Sequence, residues 1–268
     1  MKKEYESHPF YEYYNSILKY NILKNNLIKD LENINFDCEY AFIDGLKNQL
    51  FETIMSLSLK SLVLDINYFS KNFSDKEEAY RDYITYLMEK SGIENFFVRH
   101  SCLLEQLNLE INLLLKSAFI FINRLKNDLD KIKLNFNIAG NVEKIEFSKG
   151  DSHSGKESVI KIEFSNKDIF YKPKSYSSYY LLSDIINILK KNKICSFSLP
   201  NTLDQGSYSW VEGIVCKDSK KNELGKIYEQ FGVLTCLADV LSISDLHMEN
   251  IIVTGDKVYL IDIETIFQ

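Results

Sequence analysis

The sequence predicts an α+β protein: a helical N-terminal half, then a small antiparallel sheet accompanied by two further helices. Three observations carry this reading. Apolar residues recur every three or four positions as far as about residue 134. That spacing then breaks, and short runs rich in Ile, Val, Phe and Tyr take over. Only 10 Gly and 3 Pro occur among the 268 residues, so long helices meet few breakers.

The elements follow in order. "YEYYNSILKYNILKNNLIKDLENI" and "IMSLSLKSLVLDINYFSKNF" have the helical repeat. In "SDKEEAYRDYITYLMEKSG", Ser74 is expected to cap a helix, acidic residues fill its first turn and Gly92 closes it. A further helix is expected from Cys102 to about Leu134, strongly charged at "NRLKNDLDKIK". Beyond Asn135–Gly140, "VEKIEF", "SVIKIEF" and "DIFYKP" predict three antiparallel strands. The second and third are joined by the tight connection "SNK", and Pro173 ends the third because it has no N–H for a ladder. "SYSSYYLLSDIINILKK" predicts a helix with Leu181, Leu182, Ile185, Ile186 and Leu189 on one face. "YSWVEGIVC" reads as a strand. "ELGKIYEQFGVLTCLADVLSI" reads as an amphipathic helix with Leu224, Ile227, Tyr228, Phe231, Leu234, Ala238 and Leu241 inward. A β-hairpin, "NIIV" and "VYLID" about a "TGD" turn, closes the sequence. This order divides the chain into a helical segment (1–135), a sheet-plus-helix segment (136–220) and a last segment carrying the hairpin (221–268).

Composition narrows the function classes. With 45% hydrophobic residues, 17 Phe and 17 Tyr, the chain has a large core and lies outside disordered composition. A net charge of −6 argues against a general binder of nucleic acid or anionic membranes. The five Cys are scattered singly without a CxxC pair, which predicts buried free thiols in a reducing compartment. No signal peptide is expected, since "MKKEYESHPFYEYY" has no apolar core after its lysines. The most apolar stretch, Ile111–Ile122, is too short to span a bilayer and contains Lys116. A cytoplasmic protein without an integral membrane segment is expected.

The hairpin has polar ends. Asp245, His247 and Asn250 precede it, and Asp262 and Glu264 follow. Three readings compete: a metal site, a catalytic hairpin like that of kinases, or an ordinary hairpin with solvated ends. The D-x-x-x-x-N spacing of Asp245 and Asn250, with Asp262 a dozen residues on, matches the kinase catalytic loop and its metal-binding aspartate. In that layout one aspartate meets the hydroxyl nucleophile, and the asparagine and second aspartate hold a hard cation. Glu264 is two positions beyond Asp262, so on an extended strand both face the same way. His247 has no second His or Cys at zinc-ligand spacing. Such a site also needs a cation for phosphate. Lys172 alternates with Tyr171 at a strand end, so one side chain enters the core and the other faces a cleft. Lys174, after the strand, is expected to be solvated. "KGDSHSGKES" joins the first two strands where kinases place a phosphate loop, but it is not G-x-G-x-x-G. Asp151 and His153 there suit proton transfer, or else an ordinary polar loop. An acidic partner for Lys172 is offered by Asp184 or by Glu212, and the sequence does not choose between them.

Taken together, "GDSHSGKESVIKIEF", "YKPKS", "YSWVEGI" and "YEQFGVLTCLADVLSISDLHMENIIVTGDKVYLIDIET" resemble the dehydratase domain of class II lanthipeptide synthetases over roughly residues 140–268. The resemblance implies a kinase-like core, related to lipid kinases, with its small lobe in 136–220 and the start of its large lobe in 221–268. It implies ATP- and Mg²⁺-dependent phosphorylation of Ser and Thr in a ribosomal lantibiotic precursor peptide, then phosphate elimination to dehydroamino acids. By position it implies that Asp245 is the catalytic aspartate, with His247 in the same motif. Asn250, Asp262 and Glu264 are then metal ligands, Lys172 contacts phosphate, and Asp151 and His153 belong to the active site.

That domain continues well past "IDIET" and is followed by a cyclase domain, so an incomplete fragment of a synthetase is expected. Two other readings stand beside it. One is a non-catalytic module that binds the peptide or the remainder of the synthetase. The other is a free-standing lipid- or protein-kinase-like enzyme, disfavoured by the missing G-x-G-x-x-G and DFG motifs.

Overall fold

The computed structural model describes residues 4–22, 38–148, 157–243 and 246–262. They form an α+β protein in two compact units: Met1–Asp128 with Lys144–Glu157, and Leu129–Glu143 with Ser158–Gln268.

The first unit is helical. It contains α1 (Tyr11–Ile22), α2 (Glu39–Phe69), α3 (Lys76–Met88), α4 (Lys90–Arg99) and α5 (Ser101–Phe136) as far as Asp128. The cap of α3 is Asp75, not Ser74: its carboxylate accepts from the Glu77 N–H at 2.8 Å. Gly92 does not close that helix. It lies inside α4, where a Cβ would stand 1.8 Å from the Tyr86 carbonyl oxygen, so the close approach of two turns requires glycine. Tyr13, Ile17, Phe42, Leu46, Ile54, Leu62, Tyr83 and Phe96 are among its buried residues. One buried carboxylate, Asp65, is fully engaged: Arg99 Nε and Nη2 each donate to it at 2.8 Å and Tyr83 Oη at 3.0 Å. This paired, hydrogen-bonded state is what makes burying the charge tolerable.

In the second unit the sheet runs β1-β2-β3-β5-β4. Its strands are β1 (Val142–Glu146, the first two residues in this unit), β2 (Ile160–Phe164), β3 (Lys167–Lys172), β4 (Thr202–Asp204) and β5 (Ser209–Glu212). β2 and β3 form the expected hairpin, pairing Phe164 with Lys167 across Ser165–Asn166. Tyr171 faces Trp210 across β3 and β5, and their rings lie 5.2 Å apart. β5 ends at Glu212, short of the expected strand, and one further backbone bond, Gly213 N to Asp168 O at 2.8 Å, continues its register with β3.

Helix α6 (Ser177–Lys191), helix α7 (Leu224–Val240) and the hairpin of β6 (Ile251–Thr254) and β7 (Lys257–Leu260) share one apolar cluster. Leu182 and Ile186 meet Ile227, Leu234 and Leu237, with Val258 and Leu260 against them. The expected faces were drawn too wide: Leu181, Leu224 and Tyr228 are exposed. Five or more positions spread over three turns cover more of a helix than one contact can bury.

None of the five cysteines forms a disulfide, yet Cys38 alone is buried; Cys195 is half-buried, and Cys102, Cys216 and Cys236 are exposed. This corrects the expectation of buried thiols. Burial also pushes the Cys195 thiol up. An aromatic disulfide reagent is expected to modify Cys102, Cys216 and Cys236 rapidly, and Cys38 and Cys195 only slowly in the folded protein. Rapid loss of Cys38 or Cys195, located by peptide mapping, would contradict this burial pattern. Among the described residues, no helix is long and apolar enough to cross a membrane.

Candidate active site

The hairpin is held from three sides. Its turn places Gly255 at φ +57°, a left-handed conformation that glycine adopts without strain. Ser198 bridges β7 in parallel, donating to Val258 O at 2.9 Å and accepting from Leu260 N at 3.2 Å. Gln230, buried on α7, accepts from Val258 N at 3.3 Å and donates to Asp256 O at 2.8 Å. Near the turn, Thr254 Oγ1 donates to Val215 O at 3.0 Å. One further backbone bond, Ile261 N to Asn250 O at 3.0 Å, extends the ladder beyond the strands. The residues just before β6 and just after β7 are thereby brought side by side.

Asn250 and His247 form one pair. His247 ends the approach to the short turn Met248–Asn250, and its Nδ1 accepts from Glu249 N at 3.2 Å. The Asn250 amide lies 3.3 Å from His247 Nε2. That contact is made through the amide nitrogen, and which partner donates follows from the tautomer of the ring.

Lys172 and Asp262 form the other. Lys172 ends β3, and the alternation works as expected: Tyr171 enters the core and Lys172 turns the other way. Its Nζ stands 3.1 Å from Asp262 Oδ1 and donates to Ile261 O at 3.1 Å. Lys172 is 7% exposed. Burial draws its ammonium below the usual lysine range, and the neighbouring Asp262 carboxylate opposes this. Lys174 is not solvated as expected. It is half-buried 3.7 Å from the same Asp262 Oδ1, and burial lowers it too, against the pull of the carboxylate. Among the described residues no donor is aligned for a hydrogen bond to Asp262 Oδ1, although two ammonium groups face it.

Neither acid offered by the sequence partners Lys172. Asp184 is exposed on α6, and Glu212 holds Lys167 at 2.6 Å. Asp245, Asp151, His153 and Glu264 lie outside the described residues. Among the described residues no three His, Cys, Asp or Glu side chains gather as a metal site. Asn250 and Asp262 supply amide and carboxylate oxygens, the donor chemistry that suits Mg²⁺ and not zinc. An Asp262 oxygen that faces charge without an aligned donor also fits a cation ligand.

Sequence reasoning missed Tyr176 and Gln230. Tyr176 is buried, its hydroxyl donates to Ile261 O at 2.8 Å and its ring lies 5.0 Å from Lys172 Nζ. An aromatic four residues after a strand-end lysine was the only local signal. Gln230 had one as well: a polar residue within the inward stripe of α7.

Two comparisons bear on this site. The chain is 27% identical over 254 residues to the lacticin 481/lactococcin biosynthesis protein LcnDR2 of Lactococcus lactis subsp. lactis. The alignment covers 82% of this chain but 26% of that relative, so the chain spans about a quarter of its length. Residues 100–268, more than half of the chain and including the whole hairpin, match the family described as "Domain of unknown function (DUF4135)". The chain therefore belongs to the DUF4135 family.

Proposed function

We propose that this chain carries the phosphoryl-transfer part of a lanthipeptide synthetase dehydratase. In this reading it uses ATP and Mg²⁺ to phosphorylate Ser and Thr of a ribosomal lantibiotic precursor peptide, and the phosphate is then eliminated. The observation that carries the proposal is the meeting of Lys172, at the end of β3, with Asp262, just after β7. A kinase-type site needs that juxtaposition: a strand lysine for phosphate beside a carboxylate for the metal. The similarity to a lantibiotic biosynthesis protein points to the substrate class.

The residues then divide as follows. Asn250 and Asp262 would hold the cation with Glu264, and His247, whose Nε2 lies 3.3 Å from the Asn250 Nδ2, orients that amide. Lys172 contacts a phosphate oxygen. Asp245 accepts the proton of the peptide hydroxyl, and Asp151 and His153 serve proton transfer at the same site. Mg²⁺ bound with ATP supplies charge neutralisation for the transferring phosphoryl group. Elimination needs removal of a weakly acidic α-proton and a stabilised leaving phosphate, so a base and a cation must stand close together.

The test is mass spectrometry of a Ser- and Thr-rich precursor peptide incubated with the chain, ATP and Mg²⁺. A gain of one phosphate, or a loss of one water, is expected. The same incubation with Asp245→Ala is expected to give neither. Measurable peptide binding with no mass change in the unaltered chain would favour the non-catalytic module instead.

A further inference from the structure

We infer that Tyr176 is the positioning residue that sets the Lys172 ammonium and the Asp262 carboxylate at one fixed spacing; this rests on the reading of that pair as the phosphate and metal groups. Lys172 Nζ donates to Ile261 O at 3.1 Å and Tyr176 Oη at 3.4 Å, and forms an ion pair with Asp262 Oδ1 at 3.1 Å. Tyr176 Oη in turn donates to Ile261 O at 2.8 Å. One phenol thus touches both the lysine and the peptide carbonyl directly before Asp262. Its ring adds a cation–π contact, 5.0 Å from Nζ to the centroid.

The tyrosine is itself anchored. Its backbone N–H donates to Asp204 Oδ1 at 3.2 Å, Ser175 Oγ reaches Asp204 Oδ2 at 3.4 Å and Gly206 N reaches Asp204 Oδ1 at 3.2 Å. The turn after Pro173 is therefore tied to β4, and at 2% exposure Tyr176 has little room to move. A phenylalanine would fill the same core volume. What the hydroxyl adds is a link between two segments remote in sequence, each bearing one of the two charges.

A division of the lysine's hydrogens follows. Ile261 O and Tyr176 Oη hold two of its three N–H groups whether or not Asp262 is engaged elsewhere. When the carboxylate turns to a cation, the ammonium loses its ion-pair partner on that side, and the third N–H is left for a phosphate oxygen to accept.

The test uses the full chain and an acyl phosphate of ATP. An amine beside the bound phosphates attacks the acyl carbon, loses a proton and forms an amide, and the C–O bond to phosphate breaks to release ATP. Peptide mapping locates the amide. Unaltered protein is expected to be labelled at Lys172, with protection by excess ATP. Tyr176→Phe keeps the ring and is expected to lower Lys172 labelling about tenfold. Its thermal midpoint, and labelling of Lys161 and Lys167 by a general amine reagent, should be unchanged. Tyr176→Leu, which also removes the ring, should lower it further. Wild-type labelling of Lys172 in Tyr176→Phe would overturn the positioning role and leave the site reading intact. Loss of labelling together with a lowered midpoint would reduce Tyr176 to a packing residue. Absence of ATP-protected labelling at Lys172 in the unaltered chain would instead overturn the site reading itself.

Discussion

Lys172→Met is expected to abolish ATP-protected labelling at that position and to cut phosphoryl transfer at least about a hundredfold, while leaving the folded state as stable as before. The two halves of this expectation have one cause. Lys172 is buried, and burial opposes its charge. Methionine fills a similar volume with no charge to desolvate. Removing one member of a buried ion pair ordinarily costs about 3–5 kcal/mol because the other charge is stranded. Asp262 is not stranded here. Its side chain is 29% exposed and Lys174 stands 3.7 Å away. The net change in unfolding free energy is therefore expected to stay within about 1 kcal/mol. Chemical denaturation of the two proteins checks the stability half, and the peptide assay checks the other. A variant that keeps its phosphoryl transfer would show that Lys172 does not serve the phosphate.

Trp210→Ala is expected to produce the largest loss of stability, about 3–5 kcal/mol, with a fall in thermal midpoint of about 10 °C. Trp210 is fully buried in β5, paired with Tyr171 on one side and Leu203 on the other. Tyr171 and Tyr208 pack on its ring at 5.2 and 6.0 Å. No neighbouring side chain can collapse into a void of that size without breaking the strand register. The next pair along β3 and β5 is Lys172 with Ser209, so the same change should also blur the position of the lysine. Trp210→Phe keeps an aromatic face for Tyr171 and should lose clearly less. An unchanged midpoint for Trp210→Ala would contradict the central place given to this residue.

How far the sequence carried can be seen in particular residues. The β2–β3 hairpin was readable because "SNK" separates two runs of alternating character, and alternation is a local property. Strand β4 was not: Thr202–Asp204 is three residues long and follows Pro200, too short to show a period. The cap of α3 slipped by one place because Ser74 and Asp75 are both good capping residues and only the backbone angles choose. At the site, alternation separated Tyr171 from Lys172, and motif spacing singled out Asn250 and Asp262. The acid that meets Lys172 escaped because Asp184 and Glu212 belong to the same sheet-and-helix segment as the lysine, whereas Asp262 lies beyond the hairpin.

The sequence by itself determined the types of the main elements, the polarity of the hairpin ends and the side of β3 on which Lys172 stands. Those follow from repeats of 3.6 and 2 residues, which neighbouring side chains set without reference to the rest of the chain. The tertiary structure alone decided that Lys172 meets Asp262, that Lys174 joins them and that Tyr176 ties the lysine to the carbonyl of Ile261. Those contacts depend on where the hairpin is docked, and its docking is set by Ser198, Gln230 and the apolar cluster between α6, α7 and β7. Packing of that kind couples residues far apart in the chain, and no local periodicity records it.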